Sequence, residues 1–212
     1  MTKKGELMEF RNTEVFNIEG ALRSMRNPKN SWSKSDSEYK YDQRKNDWFY
    51  AIGKNDLDLA QRLVKAGTEH SKFMRSIFVS VDIVCPTYIA AELDTYKVGT
   101  TRNSCSLQHK GSSRDFEISD FTADNPDDQI WDTVINYVNT LRKKYLETKD
   151  YTYFRQMRQL MPMGYNYTFT WTANYAVLRN VYKQRCNHSL KEWHEFCEWI
   201  ETLPYAKELI TI

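Results

Sequence analysis

Three groups of residues have the types and spacing to do chemistry. Asn174, Leu178, Val181 and Arg185 recur at i, i+4, i+7 and i+11, one face of a helix. An apolar stripe ending in an amide and a guanidinium either pairs them within the fold or presents a polar site on a rigid support. In the second case Arg185 offers a planar fork to a carbonyl or phosphate, and Asn174 an amide. The second group is the hydroxyl-rich run 98–114, which follows Glu92, Asp94 and Lys97. It is either a solvated loop or a cradle in which backbone N–H groups and the hydroxyls of Thr100, Ser104 and Ser106 hold an anion. The third is Arg155 and Arg158 ahead of Pro162, a basic helix end that complements the helix dipole or meets a charged ligand.

Other chemistries lack their signatures. The four histidines, His70, His109, His188 and His194, are too dispersed for a metal triad, so no metal site is expected. No nucleophile elbow, P-loop or dinucleotide fingerprint occurs. Cys105 lies in the hydroxyl-rich run near Lys97, but no base is identifiable beside it.

The elements that must position these groups follow from periodicity. Glu6 to Phe10 reads as a first strand, Ile18 to Met25 as a helix, and 27–47 as a long polar loop or lid, with room for a hairpin. A helix capped by Asn55 with Asp58 ends at Gly67. The alternation from Ile77 to Cys85 predicts a strand with one apolar face, and Pro86 starts a helix over Thr87 to Tyr96. Pro126, Asp127 and Asp128 open the longest helix, and a second spans Tyr151 to Leu160. Tyr165 to Thr172 alternates aromatic with polar residues and leads into a helix over Ala173 to Arg185. Ser189 and Glu192 make a capping box for a last helix. The expected fold class is α+β, a small mixed or antiparallel sheet packed with long helices, in one domain over 1–212.

Composition narrows the partners. The chain has 212 residues with 30 Lys+Arg against 28 Asp+Glu, so a dedicated nucleic-acid binder is not expected. Its 14 Tyr, 10 Phe and 6 Trp supply ample core, which excludes a disordered chain. No run of about 18 apolar residues suits a membrane span. Four scattered cysteines and no secretory leader point to a cytoplasmic protein with reduced thiols.

Arg158 with Pro162, then Trp171, Thr172 and Asn174, then Arg185 resembles the C-terminal signature of flavin-dependent thymidylate synthases, with the relative spacing kept. The run Thr95 to Ser106 resembles, with one extra residue, an altered form of that family's R-H-R-x-x-S-x-N-E-x-S motif. The likeness covers roughly 77–112 and 127–200. It implies nucleotide contacts from Glu92, Ser104, Ser106, Arg158 and Arg185, and FAD contacts from Tyr96, Lys97, Thr100, Asn174 and His188. It further implies a homotetramer that methylates dUMP or an analogue, with NADPH and methylenetetrahydrofolate as co-substrates and the flavin carrying the difficult chemistry. The departures are specific: Thr95 and Tyr96 stand for the motif's first Arg and its His, Ser104 for its Glu and Gln108 for a following Arg, while His188 lies one position off the family's histidine. They imply an alternative, a non-catalytic protein that sequesters a nucleotide in the same cleft. A purely structural oligomer accounts for the tyrosines but not for the Asn174–Arg185 face.

Overall fold

The computed structural model describes residues 7–44, 46–106 and 113–212. In chain order its elements are β1 (Glu9–Phe16), α1 (Ile18–Met25), β2 (Glu38–Asp42), β3 (Asp47–Ala51), α2 (Lys54–Lys65), β4 (Phe78–Pro86), α3 (Thr87–Leu93), β5 (Thr101–Ser104), α4 (Gln129–Thr148), α5 (Tyr151–Gln159), β6 (Asn166–Asn174), α6 (Tyr175–Arg185), α7 (Lys191–Glu201) and α8 (Ala206–Leu209). The class is α+β, as the periodicity predicts. Four strands form one sheet in the order β1-β4-β6-β5, in which β5 lies beside its sequence successor β6 while β4 is set between β1 and β6. The hairpin β2–β3 is a separate two-stranded antiparallel sheet.

The described residues divide into two compact units: one holds those of 7–11, 82–95 and 102–170, the other those of 12–81, 96–101 and 171–212. In the first, α4 and α5 close over Phe116, Phe121, Ile135, Val138, Leu141, Phe154 and Met157. Apolar stripes on two helices joined by a two-residue connection bury each other, and Asp128 and Asp150 cap their starts through the amides of Ile130 and Thr152. Asn139 lies in this core because its side chain bonds both the N–H and the carbonyl of Phe116 (2.8 and 2.9 Å).

The second unit is built on Leu22, Met74, Ile77, Tyr175, Leu178, Trp193 and Phe196, all buried. It also buries an ion pair, Arg26 Nη2 to Asp56 Oδ1 at 2.6 Å. Ser35 and Ser37 donate to the second oxygen of Asp56 (2.6 and 2.5 Å). Burial alone would raise the Asp56 carboxyl, but hydrogen bonds from Ser35, Ser37 and Arg26 hold it below the usual carboxylate range.

Several boundaries differ from the expectation, each for a local reason. The first strand runs on to Phe16, with Asn12 in left-handed backbone (φ 50°); Glu6 lies outside the described residues. Segment 27–47 carries two 3-10 turns and then β2, so much of the expected lid is ordered as hairpin. Asn55 and Asp58 do not cap α2; Asp36, from that segment, accepts the amides of Asn55 and Asp56 instead (2.9 and 3.1 Å). Ser189 does not form a capping box: Leu190 is the N-cap of α7, with no side-chain cap, and Nδ1 of His188 accepts the Leu190 N–H (3.2 Å). Helix α3 stops at Leu93, three residues early, where a turn at 94–95 takes over. The hydroxyl-rich run contains β5, an edge strand that polar residues conceal from period-two reading.

Candidate functional site

In the second unit, β6 ends at Asn174, the residue immediately before α6. Asn174 has extended backbone (φ −127°, ψ 166°), and its Oδ1 accepts the N–H of Val177 at 3.1 Å. It is therefore the N-cap of α6 rather than part of the Leu178–Val181–Arg185 face, which corrects the reading by helical spacing. The residue as a whole is 7% exposed. With Oδ1 used by the cap, Nδ2 has no hydrogen-bond partner among the described residues. Nδ2 keeps solvent access, so its N–H2 group can donate to water or to a bound ligand. Its near neighbour is Gly99, in positive-φ backbone (φ 80°), where an added Cβ would lie 2.8 Å from Nδ2. The glycine thus meets two demands, a left-handed turn and a close approach to the amide.

At the other end of α6, Arg185 is held on three sides. Its Nε donates to the Tyr96 hydroxyl at 3.0 Å, and that hydroxyl donates to Gln184 Oε1 at 3.0 Å. The guanidinium carbon stands 4.6 Å from the Trp193 ring centroid and 5.8 Å from that of Tyr96. A planar cation on an aromatic face loses little further freedom when its fork meets an anion. His188 lies edge-on to the same Trp193 ring, at 6.4 Å. Thr100 donates to the Tyr96 carbonyl (2.7 Å), closing the turn that carries Gly99, while Lys97 is exposed.

The first unit holds the remaining predicted residues, in two places. Arg102 on β5 pairs with Asp94 (2.9 Å) and covers the rings of Phe169 and Tyr167 (5.2 and 5.8 Å). The Tyr167 hydroxyl donates to Ser104 Oγ at 3.2 Å, and Cys105 N bonds the Thr168 carbonyl at 2.9 Å. The Ser104 hydroxyl therefore accepts from an internal partner and does not stand in an open nest. Ser106 and Glu92 are half-buried, and Glu92 accepts from Thr95 through its carbonyl. Arg158, in the last turn of α5, is exposed with no ion pair among the described residues. Gln108, His109 and Lys110 lie outside the described residues.

Sequence spacing missed Gly99, Gln184, Trp193 and Arg102 as members of these constellations. Trp193 reads as plain core on the α7 stripe. Gly99 carried the one available signal, an isolated glycine between a helix and a hydroxyl-rich run.

With this geometry in hand, residues 15–204 match the family described as thymidylate synthase complementing protein. Among solved structures the chain is similar to thymidylate synthase X from Helicobacter pylori with FAD and dUMP, at 15% identity, TM-score 0.70 and 96% coverage of both chains. It is similar as well to flavin-dependent thymidylate synthase from the same organism, complexed with FAD and dUMP, at 16% identity and TM-score 0.70 over 96% of this chain and 97% of that one. At such identity the likeness is one of fold. No curated protein matches.

Proposed function

Because the chain belongs to the thymidylate synthase complementing protein family, we propose that it binds FAD and a pyrimidine nucleotide and methylates dUMP or an analogue. The observation that carries this reading is the Asn174 amide, its oxygen fixed by the helix cap and its solvent-accessible Nδ2 beside the Gly99 turn, available to a ligand acceptor. The residues fit a flavin nucleotide in kind. A glycine turn allows close approach, an amide donor is available, and Arg185 stands over the Trp193 ring with a charge suited to phosphate. Bound FAD would supply hydride transfer between NADPH and the one-carbon unit of methylenetetrahydrofolate. The chain's own part is positional. Tyr96 and Trp193 fix the Arg185 fork, Thr100 holds the Gly99 turn, and Asn174 donates from the helix start. Lys97 and His188 are assigned to the cofactor's surroundings. In the first unit, Glu92, Ser104, Ser106 and Arg158 are assigned to the nucleotide. We further propose a cytoplasmic homotetramer; no helix among the described residues is long and apolar enough to cross a membrane.

A second reading, nucleotide sequestration without turnover, is favoured by one observation: Tyr96, in the place of the motif histidine, uses its hydroxyl on Arg185 and Gln184. Native mass spectrometry of the purified protein, with its visible spectrum, separates the readings. Co-purified or added FAD should give flavin absorbance near ~450 nm, and turnover of dUMP with NADPH and methylenetetrahydrofolate supports methylation. Tight nucleotide binding without turnover supports sequestration. A colourless protein that takes up neither FAD nor any pyrimidine nucleotide overturns both.

A further inference from the structure

The second unit carries a cavity of about 910 Å³, which the nucleotide reading leaves unused. One wall is the hairpin β2–β3; the other is the start of α1 with the segment Thr202–Tyr205. The register sets Tyr39 opposite Tyr50 and Tyr41 opposite Trp48, so four rings share one face of the hairpin. Each pair is edge-to-face, with centroids 5.2 and 5.3 Å apart. These rings are not core: Trp48 is 63% exposed and Tyr39 56%. They are nonetheless held. The Tyr39 hydroxyl donates to Glu19 on α1 (3.0 Å), and the Tyr205 hydroxyl accepts the Ile52 N–H (2.9 Å) and donates to the Tyr50 carbonyl (3.2 Å).

The charge around these rings has one dominant sign. Glu19, Asp42 and Asp47 line the cavity against Arg23 alone among its described lining residues. Aromatic faces are electron-rich, and a cleft with surplus carboxylate concentrates cations while repelling phosphate. The volume is that of a small-ligand site. A ring surface that stays exposed, is ordered by its own hydrogen bonds, and lies beside carboxylates suits a cationic head with an apolar body.

We propose that this cavity is a binding site for an alkylammonium ligand, its cationic head on the Trp48 and Tyr39 rings and its charge balanced by Glu19 and Asp47. The site does not depend on FAD or nucleotide binding. Calorimetric titration of the full chain with choline and, separately, with spermidine tests it and tells a quaternary ammonium from a linear polyamine. Saturable binding of either, weakened about tenfold by Trp48→Ala and by raised ionic strength, is the expected result. Trp48 is exposed, so its variant should keep the wild-type melting temperature; Glu19→Gln, which retains an acceptor for Tyr39, should weaken binding in the same direction. No binding of either cation overturns the proposal. So does affinity unchanged in both variants, or equal affinity for glutarate, a dianion of similar size.

Discussion

Replacing Gly99 by Ala, with Gly67→Ala as its control, separates backbone strain from the role of the Asn174 amide. Both glycines have positive φ, 80° at Gly99 and 110° at Gly67. An alanine in such backbone costs about 1–2 kcal/mol. At Gly67 nothing lies within 4 Å of the added Cβ, so strain is the whole effect. At Gly99 the Cβ would sit 2.8 Å from Asn174 Nδ2, whereas ordinary contact begins at 3.4 Å. The amide must therefore retreat, and its Oδ1 moves with it, weakening the 3.1 Å cap on Val177 N. A weakened cap adds about 1 kcal/mol, so Gly99→Ala should lose about 2–3 kcal/mol and Gly67→Ala about 1–2 kcal/mol. At this chain length 1 kcal/mol corresponds to roughly 2–4 °C in melting temperature. Flavin affinity is the sharper readout. A ligand hydrogen bond from a displaced amide is worth about 1.4 kcal/mol, or tenfold in Kd. FAD titration by flavin fluorescence should show that loss in Gly99→Ala and wild-type affinity in Gly67→Ala. If Gly99→Ala binds FAD as tightly as Gly67→Ala, the Asn174 amide is not a ligand donor and the reasoning fails.

Other consequences concern stability and reactivity. Asp56→Asn removes the charge that balances buried Arg26 and should cost about 3 kcal/mol by urea unfolding. Because the folded Asp56 carboxyl titrates below its unfolded value near ~4, its contribution is full above that pH and is lost as pH falls through the lowered value. The urea midpoint of Asp56→Asn should accordingly depend less on acid than that of the wild type. The Tyr182 hydroxyl donates to Glu201 at 2.6 Å, and that bond, with burial, pushes its pKa up to about 12. Its contribution is present below the unfolded value of about 10 and is lost as pH rises from there through the folded one; phenolate absorbance should lose one late-titrating tyrosine in Tyr182→Phe, while Tyr175, raised further by burial, still titrates late. Cys105 is exposed, whereas Cys85 is buried and burial pushes the Cys197 thiol up to about 12. Limited alkylation read by peptide mass spectrometry should label Cys105 well before either; early labelling of Cys197 would refute the packing of α7.

Much of the fold was legible where a burial pattern repeats. Val79, Val81, Ile83 and Cys85 alternate and are buried on β4, and Phe169, Trp171 and Ala173 do the same on β6. Asp128 and Asp150 cap the helices that follow them, because an N-cap acts within three residues. The family likeness also rested on such local spacing: Arg158, Trp171, Asn174 and Arg185 lie in one stretch whose element lengths constrain them. Edge strand β5 was illegible because its polar residues bury no alternating face, and α2 drew its cap from Asp36, 19 residues before Asn55.

Periodicity and caps act over a few residues, so the class of the fold and the residue types available for chemistry can be read along the chain. What those residues do follows from contacts between distant segments. Asn174 became a cap with a spare N–H2 group because β6 runs straight into α6, and Gly99 acquired its purpose when the 96–101 turn came up against that amide. Tyr96 became the clamp of Arg185, 89 residues away, through a contact that no spacing rule reaches. The hairpin's four rings came to share one face through a cross-strand register, set by pairing between strands rather than within one.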